Sequence, residues 1–348
     1  MNAPVHAAVR HYYGEVLKSS QDLRTSACCP LEAMPAHLRP LLADLHPEVH
    51  ERFYGCGSPL PPGLAGATVL DLGCGSGRDC YLLSRLVGEH GRVIGVDMTP
   101  AQLEVARKHQ DWHRQRYGHA HSNVVFHDGL IEDLGALGLA TASVDVVVSN
   151  CVLNLAADKA RVFGEILRVL KPGGELLFSD VFADRRIPAD LRQDPVLLGE
   201  CLAGALYHED FRRLLHAAGC ADARIVRSAP ITLDDPQIAA RIGMVNFRSL
   251  TIRAFKLPLE DRCEDYGQVA TYLGTLPEHP HAFALDDHHL FHSGKPMLVC
   301  GNTADMLQCT RYAPHFRVAG GREQHFGLFD CSPASAGAAA PSMAPACC

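Results

Sequence analysis

The sequence predicts a doubly wound α/β domain at residues 67–229, followed by a smaller α+β domain at residues 230–330. Three observations lead to this prediction. Apolar runs alternate with amphipathic stretches from Thr68 onward, a glycine-rich loop follows the first run, and broken apolar segments begin near Pro230. Strands that alternate with helices pair in parallel, because a crossover helix returns the chain to the same edge of the sheet.

The predicted elements follow one another in a regular order. The strands are TVLDLG, RVIGVDM, NVVFHDG, VDVVVSN, ELLFSDVF and ARIVRS, and the helices are DCYLLSRLVG, a helix from Thr99 to near Gly118, KARVFGEILRVL and HEDFRRLLHAAG. Thr99 as N-cap, with Pro100 next and Gln102 three residues after the cap, is typical of a helix start. The sequence KPGG predicts a turn. The insertion at 184–207 shows no strand pattern and is expected to cap a cleft.

The two ends of the chain differ from its centre. Residues 1–66, which carry Cys28 and Cys56, are predicted to form a lead-in segment of short helices. The Ala/Pro/Ser-rich residues 331–348 end in two cysteines and are expected to be disordered. A net charge of -7, scattered Lys and Arg, and no apolar run long enough to span a bilayer predict a cytoplasmic protein without nucleic-acid or membrane partners.

The loop in VLDLGCGSGRD predicts a cofactor site at the end of the first strand. Its glycines are Gly73, Gly75 and Gly77. They allow close backbone approach to a ligand, and the next helix offers its first amides. Arg78 stands where a dinucleotide fingerprint has its third glycine. Asp97 ends the second strand and suits two ribose hydroxyls, while Asp71 suits a cationic amino group. These are the needs of S-adenosylmethionine.

The glycine loop, the second acidic residue and LRVLKPGG ahead of a strand together resemble the class I S-adenosylmethionine-dependent methyltransferases. The resemblance implies a Rossmann-like class I methyltransferase domain. It also implies that Met98 flanks the adenine on one side and that Leu130 and Ile131 lie on the other. Asn150 follows the fourth strand, at the edge where open α/β sheets bind ligands, and is predicted to hydrogen-bond the methionine part.

Cys151 directly follows Asn150 and is therefore predicted to lie beside the sulfonium. A thiol does not suit an oxygen or nitrogen acceptor, which needs a general base or simple proximity, but it suits a soft, thiol-binding atom. Three further cysteines stand in segments predicted to border the same cleft: Cys28, Cys56 and Cys201. Trivalent arsenic binds three thiolates in a pyramid and keeps a nucleophilic lone pair.

Five segments give a closer resemblance, to the arsenite methyltransferase family, over most of residues 10–256. They are YYGEVLKSSQDLRTSAC, FYGCG, LDLGCGSGRDCYLLSRLVGEHGRVIGVDMT, SNCVLNL and GECLAGALY. In that family the cysteines matching Cys56, Cys151 and Cys201 bind arsenic. The cysteine matching Cys28 joins a disulfide relay, and Tyr54 matches a residue near the metalloid.

The resemblance implies methyl transfer from S-adenosylmethionine to thiol-bound arsenite and methylarsenite, giving mono-, di- and even trimethylated arsenicals. Thioredoxin or glutathione would be the thiol reductant that resets the enzyme. Two alternatives stay open: a methyltransferase acting on a small organic metabolite, with incidental cysteines, and a non-enzymatic arsenic-binding protein. The roles of Cys29, Cys347 and Cys348 also stay open.

Overall fold

An eight-stranded mixed sheet forms the centre of the larger domain. The computed structural model describes residues 3–16, 34–35, 37–194, 197, 201–233 and 236–331. The strands are β1 Thr68–Leu72, β2 Arg92–Asp97, β3 Val124–Asp128, β4 Val144–Asn150, β5 Leu170–Ala183, β6 Leu206–Tyr207, β7 Ala223–Ile231 and β8 Phe247–Phe255. Their order is β3-β2-β1-β4-β5-β8-β7, with β6 paired to β5. The predicted doubly wound α/β fold is confirmed.

The direction of winding reverses between β1 and β4. Strand β1 pairs in parallel with both β2 and β4, so the chain builds outward from β1 in one direction and then in the other. Such a reversal leaves a crevice at the carboxyl ends of the two strands, where open α/β sheets bind their ligands. Every residue that the sequence assigned to the cofactor lies in or after one of the first four strands.

Helices cover both faces of this sheet. The α-helices of the described residues are α1 Ala3–His11, α2 Pro47–Glu51, α3 Arg78–Val87, α4 Pro100–Lys108, α5 Gln110–Tyr117, α6 Lys159–Val169, α7 His208–Ala217, α8 Pro236–Ile242 and, in the C-terminal region, α9 Gly301–Gln308. Alternate residues of β1 pack on opposite faces: Leu70 joins a core with Phe163 of α6, and Val69 joins another with Leu82 of α3. Burial on both faces explains why these strands are apolar throughout.

The larger domain extends beyond the predicted boundary at residue 229. Strand β8, assigned by sequence to the C-terminal domain, inserts between β5 and β7 and runs antiparallel to both. The prediction was wrong here because alternating strands and helices indicate parallel pairing. Strand β8 instead follows β7 after the short helix α8 and pairs antiparallel with it, which the alternation does not predict. The insertion also contributes the short strand β6, which pairs with Phe182 and Ala183.

Two local predictions also differ from the structure. The helix expected from Thr99 to Gly118 is two helices, α4 and α5, which meet at His109. Thr99 is the N-cap but forms no side-chain cap hydrogen bond, and the Gln102 amide donates instead to the Tyr13 carbonyl at 3.0 Å. The residues KPGG, predicted as a turn, lie within β5, which begins at Leu170. The pairing of β5 with β4 shifts its register in this part of the strand.

The C-terminal region has the predicted α+β character. Its strands are β9 Glu264–Asp265, β10 Gln268–Tyr272, β11 Ala282–Ala284, β12 Leu290–His292, β13 Pro296–Val299, β14 Phe316–Ala319 and β15 Gly327–Leu328. A three-stranded sheet, β13-β10-β14, packs with α9 around a core that includes Tyr272, Phe283 and Tyr312. Within the described residues, no helix combines the length and apolar character that crossing a membrane requires.

Candidate active site

A cleft opens at the carboxyl ends of the first strands and encloses about 930 Å³, part of it open to solvent. Eight predicted cofactor residues line it: Asp71, Gly73, Gly75, Asp97, Met98, Leu130, Ile131 and Asn150. Gly77 does not line it but is the N-cap of α3, with φ at 86°. A Cβ at this position would lie 3.0 Å from the Phe126 ring, so Gly77 allows the loop to pass close to β3.

The glycine loop and Asp97 hold each other in place. Asp97 Oδ2 accepts a hydrogen bond from the Gly75 amide at 2.9 Å, and Oδ1 accepts one from the Thr99 amide at 2.7 Å. A Cβ on Gly73 would lie 2.3 Å from a Val152 methyl group, so only glycine lets this backbone approach the segment after β4. The carboxylate of Asp97 is thus fixed at the cleft wall before any ligand binds.

Four carboxyl groups line the cleft: Asp71, Asp79 and Glu132 are buried, and Asp97 is partly buried. Burial, and secondly the charge of Asp79, raises the pKa of Asp71, and burial raises that of Asp97. Oδ1 of Asp79 accepts no hydrogen bond within the described part of the chain. Arg78 Nη1 lies 3.7 Å from Asp79 Oδ1, and a further cation would balance the other acids of the cleft. The sulfonium and ammonium groups of S-adenosylmethionine meet this need, so the residues present fit that cofactor.

Asp79 is a site residue that the sequence prediction missed. It lies in the first turn of α3, two residues after Gly77, and its Oδ2 accepts a hydrogen bond from the Asn150 amide at 3.0 Å. One feature of the sequence could have identified it, namely the acidic residue at the end of GSGRD, just after the glycine loop. An acid in the first turn is common as a partner of the helix dipole, so the pattern alone did not distinguish a ligand-facing role.

The N-terminal helix, rather than the predicted insertion, covers this cleft. His6 and Val9 of α1 and the adjacent Tyr13 line it, whereas no described residue of 184–207 does. His6 Nε2 lies 3.0 Å from Glu132 Oε1 and joins the helix to the segment that follows β3. The insertion instead brings Cys201 close to Cys151, at the end of β4.

The structure brings the three predicted arsenic ligands, Cys56, Cys151 and Cys201, into one buried cluster. Cys56 and Cys151 form a disulfide whose Cα atoms are 5.8 Å apart. Cys201 Sγ lies 3.5 Å from the Cys151 carbonyl oxygen and 3.9 Å from the Tyr13 hydroxyl. In this oxidised form two of the three sulfurs are bonded to each other, so three thiolates become available only after a two-electron reduction.

The structure describes some of the other residues predicted near this cluster and not others. Cys151 and Tyr54 line the cleft directly. Cys28, assigned to the disulfide relay by resemblance, lies outside the described residues, as does its neighbour Cys29. Within the described residues, the disulfide joins two of the predicted arsenic ligands, Cys56 and Cys151.

Two of these cysteines have an uncommon backbone conformation. In the described part of the chain the non-glycine residues with positive φ are Ala142, Cys151 and Cys201. Cys151 has a φ of 58° and Cys201 one of 61°. This region costs an L-residue about 1–2 kcal/mol, and such residues cluster at functional sites. The fold thus holds the backbone of both cysteines in a conformation that L-residues rarely adopt.

Asn150 links the cofactor cleft to the cysteine cluster. Its amide oxygen accepts hydrogen bonds from the Cys56 and Gly57 amides at 3.0 and 3.1 Å. Its amino group donates to the Gly57 carbonyl at 2.9 Å and to Asp79. All four hydrogen-bonding positions of the side chain are used. The predicted contact with the methionine part of the cofactor would require one of these bonds to be exchanged.

Comparison with known proteins extends these observations to the whole chain. Residues 64–219 match the family described as a methyltransferase domain, and residues 266–339 match the arsenite methyltransferase C-terminal domain. Arsenite methyltransferase of Aquipseudomonas alcaligenes is 55% identical over 94% of each chain. The Homo sapiens enzyme of the same name is 42% identical over 91% of this chain and 84% of its own length.

A solved structure is similar over most of the fold. It is an arsenic (III) S-adenosylmethionine methyltransferase from Chlamydomonas reinhardtii, 53% identical in sequence, with a TM-score of 0.83. The match covers 86% of this chain and all of that one. A match of this extent includes residues of both the larger domain and the C-terminal domain.

Proposed function

This chain belongs to the arsenite methyltransferase family, and on that premise we propose that it transfers methyl groups from S-adenosylmethionine to arsenite bound by Cys56, Cys151 and Cys201, and to methylarsenite bound by two of these thiolates. The observation that carries the proposal is the convergence of these three buried cysteines beside an acid-lined cleft. The products would be mono-, di- and trimethylated arsenicals.

The residues of the cleft have separate tasks in this reaction. Bound S-adenosylmethionine supplies an electrophilic methyl group on a positively charged sulfur. Asp71 and Asp79 balance the charge of its ammonium group, while Asp97 is positioned to accept hydrogen bonds from the ribose. The helix α1 excludes water from this side of the cleft, which strengthens the interactions of the buried carboxylates.

The three thiolates hold the substrate and make it a nucleophile. Arsenite, As(OH)3, reacts with three thiols to form three As–S bonds and release three water molecules. The arsenic keeps its lone pair, which forms the new As–C bond, while the methyl donor leaves with its former bonding pair. Arsenic is formally oxidised in this step. Two protein thiols can reduce it again by closing a disulfide, and the Cys56–Cys151 disulfide supports such a step.

A thiol reductant must then reopen that disulfide. Cys56 and Cys151 are both buried, with 3% of each residue exposed, so a small reductant reaches them more easily than a protein does. Glutathione is a small reductant of this kind, and thioredoxin would need the N-terminal helix or the insertion to move aside. Either reagent supplies the two electrons and two protons that restore the thiols.

A product-speciation experiment tests the proposed function. Purified protein is incubated with S-adenosylmethionine, glutathione and arsenite, and the arsenic species are separated over time. Methylarsenicals are expected, with their formation abolished in Cys151→Ser and Cys201→Ser. Cys309→Ser, which alters an exposed cysteine away from the cluster, is the matched control and should behave as wild type.

Other outcomes separate the alternatives. Absence of methylated arsenic under reducing conditions would contradict the proposal. If titration calorimetry then shows that the protein binds arsenite but no S-adenosylmethionine, the chain is a binding protein. Binding of S-adenosylmethionine without arsenic methylation would instead indicate a different, organic acceptor. Cys28→Ser should spare methylation of methylarsenite, because methylated arsenic binds only two thiolates.

A further inference from the structure

A second cluster of three cysteines lies in the C-terminal domain. The Sγ atoms of Cys263, Cys300 and Cys331 are all within 4.8 Å of one another. None of these residues lines the cofactor cleft, and none contributes to the methyl-transfer site described above. The distances are short enough for one ion or one arsenic atom to contact all three sulfurs.

Three separate elements bring these sulfurs together. Cys263 precedes β9, and its carbonyl accepts a hydrogen bond from the Phe329 amide at 2.7 Å, next to the pairing of β9 with β15. This pairing places Cys331, two residues after Phe329, near Cys263. Cys300 is the N-cap of α9, and its sulfur accepts a hydrogen bond from the Thr303 amide at 3.4 Å. The cluster therefore depends on the folded domain and not on a local sequence motif.

The surroundings of the cluster favour a negatively charged sulfur at Cys300, whereas hydrogen bonds within the cluster raise the pKa of Cys263 and of Cys331. Arg224 Nη2 lies 3.8 Å from Cys263 Sγ and 3.7 Å from Cys300 Sγ. Asp222 fixes this guanidinium with two hydrogen bonds, at 2.8 and 2.6 Å. The first turn of α9 also directs its amides towards Cys300. A cation and a helix N-terminus both stabilise thiolate over thiol.

The cluster is also open to a small ligand. Cys300 is buried, whereas Cys263 and Cys331 are only partly buried. By contrast, Cys220 is buried in the apolar core. Cys309 is exposed and belongs to no group of three potential ligands among the described residues. A cysteine that only fills space has no need of two sulfur neighbours and a guanidinium.

We propose that Cys263, Cys300 and Cys331 form a second binding site for trivalent arsenic, with one As–S bond to each sulfur. Three sulfurs satisfy the pyramidal coordination of arsenic, and the described group contains no fourth His, Cys, Asp or Glu ligand. Zinc prefers four ligands, and the cation Arg224 beside the sulfurs disfavours a divalent ion. Binding of As(OH)3 by three thiols releases three water molecules and changes no oxidation state.

The first test measures how much arsenite the full chain retains without S-adenosylmethionine. In a Cys56→Ser/Cys151→Ser/Cys201→Ser background, reduced protein is mixed with arsenite, desalted, and analysed for arsenic per chain. The added change Cys300→Ser should remove about one bound arsenic, while Cys309→Ser, the matched control, should remove none. Equal retention in the two variants would overturn the proposal, as would purified protein that holds zinc in this cluster and resists replacement by arsenite.

A second measurement does not depend on the folding of the variants. Wild-type protein is reduced, treated with a thiol-alkylating reagent with and without arsenite, and mapped by mass spectrometry. Arsenite should protect Cys263 and Cys331 from alkylation and leave Cys309 reactive. Unchanged labelling of Cys263 and Cys331 would contradict the site, as would a disulfide within the cluster that persists after reduction. Because no methyl donor is present, this result is independent of whether the protein methylates arsenic.

Discussion

Asn150 determines where the backbone of Cys56 lies relative to Cys151. Its amide forms four hydrogen bonds, three of them to the Cys56–Gly57 segment and one to Asp79. A Cβ on Gly55 would lie 2.6 Å from the same amide, so the segment is pressed closely against it. One side chain therefore connects the thiol cluster with an acid of the cofactor cleft.

Asn150→Ala should weaken the arsenic site more than it weakens the fold. It leaves two buried amide donors without their acceptor, which costs about 1–3 kcal/mol. The kcat/KM for arsenite should fall by roughly 5- to 150-fold. Asn123→Ala removes comparable hydrogen bonds to the Ser84 and Gly88 carbonyls away from the cleft and is the control. Equal losses of kcat/KM in both variants would show a purely structural effect.

Asp71 should make cofactor binding depend on pH. Burial, and secondly the charge of Asp79, raises its pKa, so Asp71 ionises at higher pH than an ordinary aspartate. A cationic ligand binds the ionised form, and therefore its affinity should rise as pH rises through this raised pKa. Titration calorimetry with S-adenosylmethionine at a series of pH values, over the range in which the protein stays folded, measures the trend. Asp71→Asn should bind weakly and with a flatter pH profile; an unchanged profile would exclude Asp71 as the titrating group.

At the scale of elements, α1 covers the cofactor cleft and the insertion supplies Cys201. The contact between His6 and Glu132 joins residues 126 positions apart in the chain. Residue patterns predict helices and strands from neighbours in sequence, and such a distant contact leaves no local pattern. The strand ends, the glycine loop and most cofactor residues could be predicted because each combines a local pattern with the rule that ligands bind at carboxyl ends.

Features that depend on tertiary packing were not predictable in this way. Strand β8 has the pattern of any short apolar strand, and only its pairing with β5 shows that it belongs to the larger sheet. The cluster of Cys263, Cys300 and Cys331 likewise requires β15 to return beside β9. In contrast, the place of Cys151 after a predicted strand end indicated a site beside the cofactor, and the resemblance to a family then selected Cys56, Cys151 and Cys201 as the arsenic ligands; alone, each would be interpreted as a buried apolar residue.

Removing the contact between α1 and the segment after β3 should increase the rate at which S-adenosylmethionine dissociates. His6→Ala deletes a partly buried hydrogen bond to Glu132, which contributes about 0.5–1.5 kcal/mol. The dissociation rate of S-adenosylmethionine should increase by roughly 2- to 10-fold, as measured by stopped-flow displacement. Arg10→Ala, an exposed change on the same helix, should leave the rate unchanged. An unaltered rate in His6→Ala would show that α1 does not control access.

At the scale of the whole molecule, a buried ionic network joins the two domains. Glu175 of β5 is completely buried and binds Arg253 of β8 at 2.8 Å. It also contacts Arg311 and accepts a hydrogen bond from the Tyr312 hydroxyl at 2.9 Å, both from the C-terminal domain. Burial alone would raise the pKa of Glu175, but Arg311 and then Arg253 outweigh burial and lower it. The C-terminal domain therefore depends on the larger sheet for part of its stability.

Glu175→Gln should destabilise the whole chain. It leaves the buried Arg253 and the partly buried Arg311 without their anion, and breaking a buried ion pair costs about 3–5 kcal/mol. Urea unfolding at neutral pH measures this loss, and Glu209→Gln, which alters an exposed ion pair, should change little. Because the pKa of Glu175 is lowered, its contribution is present above the ordinary glutamate pKa and decreases as pH falls below it, so the difference between wild type and variant should shrink in acid. A constant difference would contradict this assignment.

The central claim is that Cys56, Cys151 and Cys201 together hold the arsenic that is methylated. Anomalous diffraction at the arsenic absorption edge, from crystals of reduced protein soaked in arsenite, tests it most directly, because it places arsenic relative to each sulfur. We expect an anomalous peak at bonding distance from all three Sγ atoms, beside the cleft lined by Asp71 and Asp97. Arsenic bound only at other cysteines, with these three left as free thiols, would contradict the claim.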